Sequence, residues 1–264
     1  MSTFPPAADD VLTSITSDSI DETEQVRLAN SIIDVRAVIH TLPLFYSAAR
    51  KEAPSSSSTS PVNFQLSYCP TSALTPKQTL RMFKIYEANM KTHYEETWGW
   101  DKNARFKELF DSSSRFIIMS VAETAQATTV DAATATSPEA AAAPPLPSPH
   151  PHAIANTNDI TGFCAYRFSW DDDDEPEHAV LYIYELQVAA SHQGLGIGCV
   201  LTEAAVHIGQ TLRMWKILLT CFKRNEQAMR FYLQNGFAVD SNSPSAFGNT
   251  GEDYEILSFS RRGT

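Results

Sequence analysis

One carboxylate stands out in an apolar run. Glu185 lies inside AVLYIYELQV, residues 179–188, among aliphatic and aromatic side chains. A carboxyl group in such surroundings titrates above its ordinary range, as a general base working near neutral pH requires. The bland alternative is a solvated strand face. Eight positions on, the run Gln193, Gly194, Leu195, Gly196, Ile197, Gly198, Cys199 joins a strand-like segment to a helical one. Glycine lets backbone come close to a ligand because no Cβ intervenes. A helix start presents N–H groups and the positive end of the dipole to an anion. The spacing Q-x-x-G-x-G suits a pyrophosphate. It is neither GxxxxGK[ST] nor G-x-G-x-x-G, so the two common nucleotide motifs do not fit. A glycine-rich turn with no ligand remains the other reading.

No Ser-His-Asp or Cys-His constellation is evident, so no enzyme nucleophile is expected. Cys69, Cys164, Cys199 and Cys221 form no CxxC pair and read as free thiols, mostly buried. His150 and His152 have no neighbouring ligand, and no metal site is expected. His178 and His192 read as exposed loop histidines.

The elements that must hold these residues follow from the apolar periodicity. A helix is expected from Asp21 through the segment ending at Leu42, and a strand at VNFQLSYC. At Thr75 a capping box is expected, with Pro76 in the first turn and Gln78 as its partner. Phe83, Tyr86, Met90 and Tyr94 then share one helix face. RFIIMSVAE, DITGFCAYRFSW and AVLYIYELQV read as strands, with DDDDEPEH a charged turn. After the glycines, Ile197, Leu201, Ala204, Ala205, Ile208 and Leu212 recur at helical spacing. WKILLTCF is a buried strand. Asn225 caps a further helix that stops at Gly236, and FAVD and DYEILSFS are strands. The order predicts one mixed α/β or α+β domain over 21–264, with residues 1–20 disordered. A stretch rich in Ala, Thr, Ser and Pro at 122–158 cannot bury enough surface to offset its ordering entropy and is expected to be a disordered insert.

The chain has 264 residues, a formal net charge of −11 and a pI near 5.0. Such a chain is a poor general binder of nucleic acid and suits a basic partner. No apolar run reaches the ~20 residues of a membrane span, and the N-terminal stretch has no secretory pattern.

The glycine motif resembles the pyrophosphate loop of the GNAT N-acetyltransferases, and NEQAMRFYLQNGF their second conserved segment. YEETWGW, YRFSW, LYIYELQV, LTCFKRN, DSNSPS and GEDYEILS together are similar to the histone-selective N-alpha-acetyltransferases (the NatD type), over residues 75–262 without the insert. The resemblance implies a central, mostly antiparallel sheet flanked by helices. It implies acetyl-CoA as co-substrate, with no metal, and histone N-terminal tails beginning Ser-Gly-Arg-Gly as substrate. It implies a monomer in nucleus and cytoplasm, with no nucleic-acid or membrane partner.

Residue by residue, it implies Glu185 as base and a bulge in its strand. That bulge would free backbone donors at Leu186, Gln187 and Val188, for in a regular strand Tyr182 and Tyr184 share the face opposite Glu185. Gln193–Cys199 would take the pyrophosphate and Asn225 the pantetheine arm. Tyr232 would sit near the leaving thiolate, although a core aromatic is an equal reading. Substrate contacts would come from Tyr94, Trp98, Ser169, Asp171, Tyr182, Tyr184, Thr220, Asn242 and Tyr254. Ser169 stands where the family carries an acid, and the run Asp171–Glu175 is longer than the family's. Acetylation of lysine or a small-molecule amine, or a non-catalytic binding module, are the competing readings.

Overall fold

The computed structural model describes residues 14–15, 20–31, 45–48, 62–122, 160–171 and 178–260. The expectations for the N-terminal twenty residues, for the insert and for the acidic run after Asp171 fall almost wholly outside them, as does the first helix beyond Ser31. An eight-stranded sheet runs in the order β1-β2-β3-β4-β5-β6-β8-β7. Its strands are β1 (Phe45–Ala48), β2 (Val62–Pro70), β3 (Arg115–Val121), β4 (Ile160–Trp170), β5 (Ala179–Val188), β6 (Lys216–Phe222), β7 (Ala238–Val239) and β8 (Tyr254–Ser260). All neighbours are antiparallel except β5 and β6. The fold is thus the mixed α/β sheet expected.

Helices cover both faces. On one side lie α1 (Glu22–Ser31) and α4 (Ile197–Thr211). The apolar stripe of α4 does face the sheet: Ile197, Leu201, Ala204, Ala205, Ile208 and Leu212 are each at most 1% exposed. Burial of each large aliphatic side chain there stabilises by roughly 1.5–3 kcal/mol, several times any difference in helix propensity. On the other side lie α2 (Pro76–Glu95) and α3 (Lys102–Leu109). The Thr75–Gln78 capping box closes the start of α2. Phe83, Tyr86 and Tyr94 are buried against the sheet, with Met90 half-buried beside them. The sequence reading did not contain α3. Asp101 caps it by accepting from Asn103 and Ala104, but only Leu109 is buried, so the apolar repeat is too sparse to read. A last helix, α5 (Glu226–Gln234), is capped by Asn225 Oδ1 on the Ala228 N–H and ends at Gly236, whose φ is +87°.

Two irregularities in the sheet create the site. Between β4 and β5, Ala165 pairs with Glu185 but Tyr166 pairs with Ile183. Tyr184 is the extra residue, a β-bulge that twists the strand and breaks its period of two. Beyond it, β5 and β6 part. Their parallel ladder covers only Leu181–Ile183 against Ile217–Leu219, after which β5 stays with β4 and β6 with β8.

Candidate active site

The wedge between the parting strands is a cavity of about 310 Å³. Glu185 forms part of its wall, with Tyr184, Leu186 and Gln187 beside it. Because the bulge absorbs one residue, Tyr182, Tyr184 and Glu185 all line this one space. The rings of Tyr182 and Tyr184 are 4.9 Å apart. Opposite, β6 contributes Leu219, Thr220, Cys221 and Phe222, and α5 contributes Ala228 and Tyr232.

Glu185 is half-buried and lines the cavity. Burial pushes its carboxyl up to about 8, and Glu108 adds to the rise. Gln187, Tyr86 and Arg105 pull the other way, the first two through hydrogen bonds. Gln187 Nε2 donates to Glu185 Oε2 at 2.7 Å. Tyr86 in turn hydrogen-bonds Tyr94, and Tyr94 bonds Arg105, which pairs with Glu108 at 2.6 Å. The carboxyl is therefore tied to the outer end of α3 through two buried tyrosines. Burial and the charge of Glu185 push the Tyr86 hydroxyl up, so it stays neutral and acts as a donor.

The mouth is aromatic and acidic. Trp98 is 52% exposed and packs edge-on against Phe222 at 4.7 Å and Tyr254 at 5.5 Å. Tyr94, Ser169 and Asp171 line the cavity, and Asp171 Oδ1 accepts from the His178 N–H at 2.9 Å. Glu108, absent from the sequence reading, also lines it. The Tyr182 hydroxyl hydrogen-bonds Thr220 Oγ1. The Arg167 guanidinium lies 3.8 Å over the Tyr184 ring and bonds Ser114 Oγ and the Glu108 carbonyl. Tyr254 does not line the cavity; it packs on Trp98 and pairs in register with Phe222, both of which do. Asn242 does not line the cavity: it is exposed in the turn after Asp240, whose Oδ1 takes its N–H. That departs from the expected substrate contact, because the buried Lys216–Asp240 pair fixes this turn to the far end of β6.

Of the predicted phosphate-side residues, Leu186, Gln187 and Asn225 line the cavity. Val188 and Gln193–Cys199 lie just past it, at the end of β5 and the start of α4. Gly194 and Gly196 take φ values of +76° and +82°. Gly196 is the N-cap of α4 and supplies no side-chain cap. The first-turn N–H groups of a helix have no intrahelical acceptors, so this uncapped start suits an anion. A Cβ at Gly194 would meet nothing within 4 Å, whereas one at Gly198 would lie 3.2 Å from the Phe231 ring.

Tyr232 is both things the sequence allowed. It is 8% exposed and packs on Phe237, yet it also lines the cavity. Burial first, then Cys221, Cys164 and Glu185, push its hydroxyl well above the usual range, so it is a neutral donor. The two loop histidines are anchored rather than loose. His178 bonds Glu22 at 3.1 Å and lies 4.4 Å from the Trp215 ring, while His192 bonds Ser191 Oγ and meets the Phe64 ring edge-on. Among the described residues no cluster of three His, Cys, Asp or Glu side chains has metal-site geometry.

Residues 119–237 match the model of the Acetyltransferase (GNAT) family, and the fold is that of the GNAT acyltransferases. The matched stretch runs from β3 to the end of α5 and holds Glu185, the glycine turn, Asn225 and Tyr232. Similar solved structures include Arabidopsis thaliana Naa50 in complex with the bisubstrate analogue CoA-Ac-MVNAL, at 15% identity over 74% of this chain and 99% of that one, TM-score 0.43. The PaiA N-acetyltransferase from Thermoplasma acidophilum, in complex with coenzyme A, is 11% identical over 75% of this chain and 99% of that one, TM-score 0.45. The NatC complex bound to Gag peptide and CoA is 14% identical over 74% of this chain and 98% of the matched one, TM-score 0.44.

Proposed function

We propose that this GNAT-fold chain is an N-alpha-acetyltransferase. It moves acetyl from acetyl-CoA to the N-terminal amine of histone tails of the Ser-Gly-Arg-Gly type, by direct attack with Glu185 as general base. The observation that carries this reading is the placement of Glu185, a carboxyl held near pH 8 inside the cavity between β5 and β6. An N-terminal α-amine has a pKa of about 7.7–8.0, against about 10.4 for lysine. A base titrating near 8 is matched to the first and poorly matched to the second.

In this mechanism the neutral amine enters from the aromatic mouth and its nitrogen attacks the thioester carbonyl carbon. Glu185 takes the proton that the amine loses. Backbone N–H groups of β5 beyond the bulge, which have no partner on β6, receive the oxyanion. As the carbon–sulfur bond breaks, Tyr232 supplies a proton to the departing thiolate. The glycine turn and the start of α4 hold the pyrophosphate. Asp171 and Glu108 at the mouth favour a cationic tail, and the net charge of −11 draws it in. The protein acts as a monomer, in nucleus and cytoplasm.

The test is incubation with acetyl-CoA and a Ser-Gly-Arg-Gly peptide, free or blocked at its α-amine, with the acetyl group located by mass spectrometry. Acetylation of the free N-terminus alone is expected. Lysine acetylation of a blocked, lysine-containing tail would sink the N-terminal reading, and cofactor binding without turnover would reduce the protein to a binding module.

A further inference from the structure

Glu185 ends a chain of side-chain amides that begins on α2. Its Oε2 accepts from Gln187 Nε2 at 2.7 Å. Gln187 Oε1 accepts from Asn89 Nδ2 at 2.9 Å, and the same Asn89 amide donates to the Val188 carbonyl at 3.0 Å. Gln187 is only 5% exposed, so water does not replace its partners.

The direction of this chain is forced from one end. A backbone carbonyl only accepts, so Asn89 must turn its NH2 group to Val188. That same NH2 faces Gln187, which must answer with its oxygen. The remaining end of the Gln187 amide is then a donor, and it meets Glu185. Reversed, Gln187 would set its oxygen against the carboxylate. Val188 O also accepts from Gln193 Nε2 at 3.2 Å, so the chain closes where the glycine turn begins.

We propose that Asn89 and Gln187 are positioning residues for the general base: Asn89 fixes which way the Gln187 amide points, and that amide fixes the carboxylate of Glu185. This rests on Glu185 being the base. A donor on Oε2 removes rotamer freedom from the carboxylate and favours its ionised form, the form that can take a proton from the amine. Other groups facing Glu185 are Tyr86 and Tyr94 from α2, Arg105 and Glu108 from α3, Cys164 from β4 and Tyr232 from α5. The variants below leave all of them in place.

Gln187→Met keeps the volume and removes the donor. Asn89→Leu keeps the volume, adds no charge and cannot donate to Val188 or Gln187. For each, the acid limb of the kcat/KM–pH profile should move up by about one pH unit, as loss of one hydrogen bond to a carboxylate implies. At pH 7 kcat should fall roughly tenfold, and KM for acetyl-CoA should stay within about twofold. A merely structural role would lower activity without moving the limb. If Gln187→Met does not fold, Asn89→Leu, at a half-buried position on α2, carries the test alone. A wild-type pH profile in whichever variant folds overturns the proposal. Glu185→Gln separates this from the wider reading. If Glu185→Gln is inactive but the limb stays put in the amide variants, only the positioning claim fails. Undiminished turnover in Glu185→Gln removes both.

Discussion

Replacing Glu185 by glutamine should stabilise the protein at pH 8 while nearly abolishing turnover. The carboxyl has an ordinary value of 4.5 and is raised to about 8 in the folded chain, chiefly by burial. Below pH 4.5 it is protonated in both states, and folding is indifferent to it. Between 4.5 and 8 the unfolded chain releases the proton and the folded chain keeps it. The unfolded state then binds fewer protons, so stability falls as pH rises, by about 1.4 kcal/mol per pH unit. Above 8 both states are ionised and the loss is complete, at roughly 4–5 kcal/mol for the whole window. Glutamine is neutral throughout and its Oε1 can still accept from Gln187, so the variant avoids that loss. Urea unfolding of wild type and Glu185→Gln at pH 5, 6.5 and 8 measures it. The stability difference should be small at pH 5 and grow steadily in favour of the variant. A variant less stable than wild type at pH 8, or a gap independent of pH, refutes the reasoning. Loss of a general base should cost about 10²–10⁴ in kcat, so the same substitution trades activity for stability.

Four further outcomes are expected. With a peptide α-amine as acceptor, kcat/KM should rise through pH 8 with a logarithmic slope approaching two at lower pH, because base and amine must both lose a proton; a slope of one in stopped-flow or steady-state profiles would mean that Glu185 does not titrate in that range. Gly196→Ala places a side chain at φ +82°, costing about 1–2 kcal/mol, and should lower the melting temperature by several degrees; Gly198→Val should strike the Phe231 ring, 3.2 Å from even a Cβ, and weaken acetyl-CoA binding by calorimetry more than it lowers stability. Lys216→Met leaves the Asp240 carboxylate unpaired with its side chain 2% exposed, a loss of about 3–5 kcal/mol in denaturant unfolding, and adding Asp240→Asn should recover part of it.

How much of this was legible depends on whether a feature is set locally. The Thr75 and Asn225 caps, the stop at Gly236 and the stripe of α4 follow from nearest neighbours and helical spacing, and each is found where the residues put it. Glu185 was legible as a carboxyl among apolar neighbours, and its raised value follows from that burial. The bulge at Tyr184 was not legible from periodicity. YIYELQ reads as a regular strand, and only its pairing with Ala165 and Tyr166 of β4 shows that one residue is surplus. Glu108 was hidden for a related reason: α3 buries little but Leu109, so its apolar pattern is faint, and its chemistry appears only when β5 and β6 part beneath it.

The bulge also explains how Glu185 and the two tyrosines come to share one cavity. In a regular strand a buried Glu185 would face away from Tyr182 and Tyr184. The surplus residue brings all three to one cavity, and it does so where the parallel ladder with β6 ends. One local insertion thus places the carboxyl and strips its backbone of a partner strand. The same stretch of β5 carries a carboxyl raised to about 8 by burial and a backbone that pairs with β4 but not with β6.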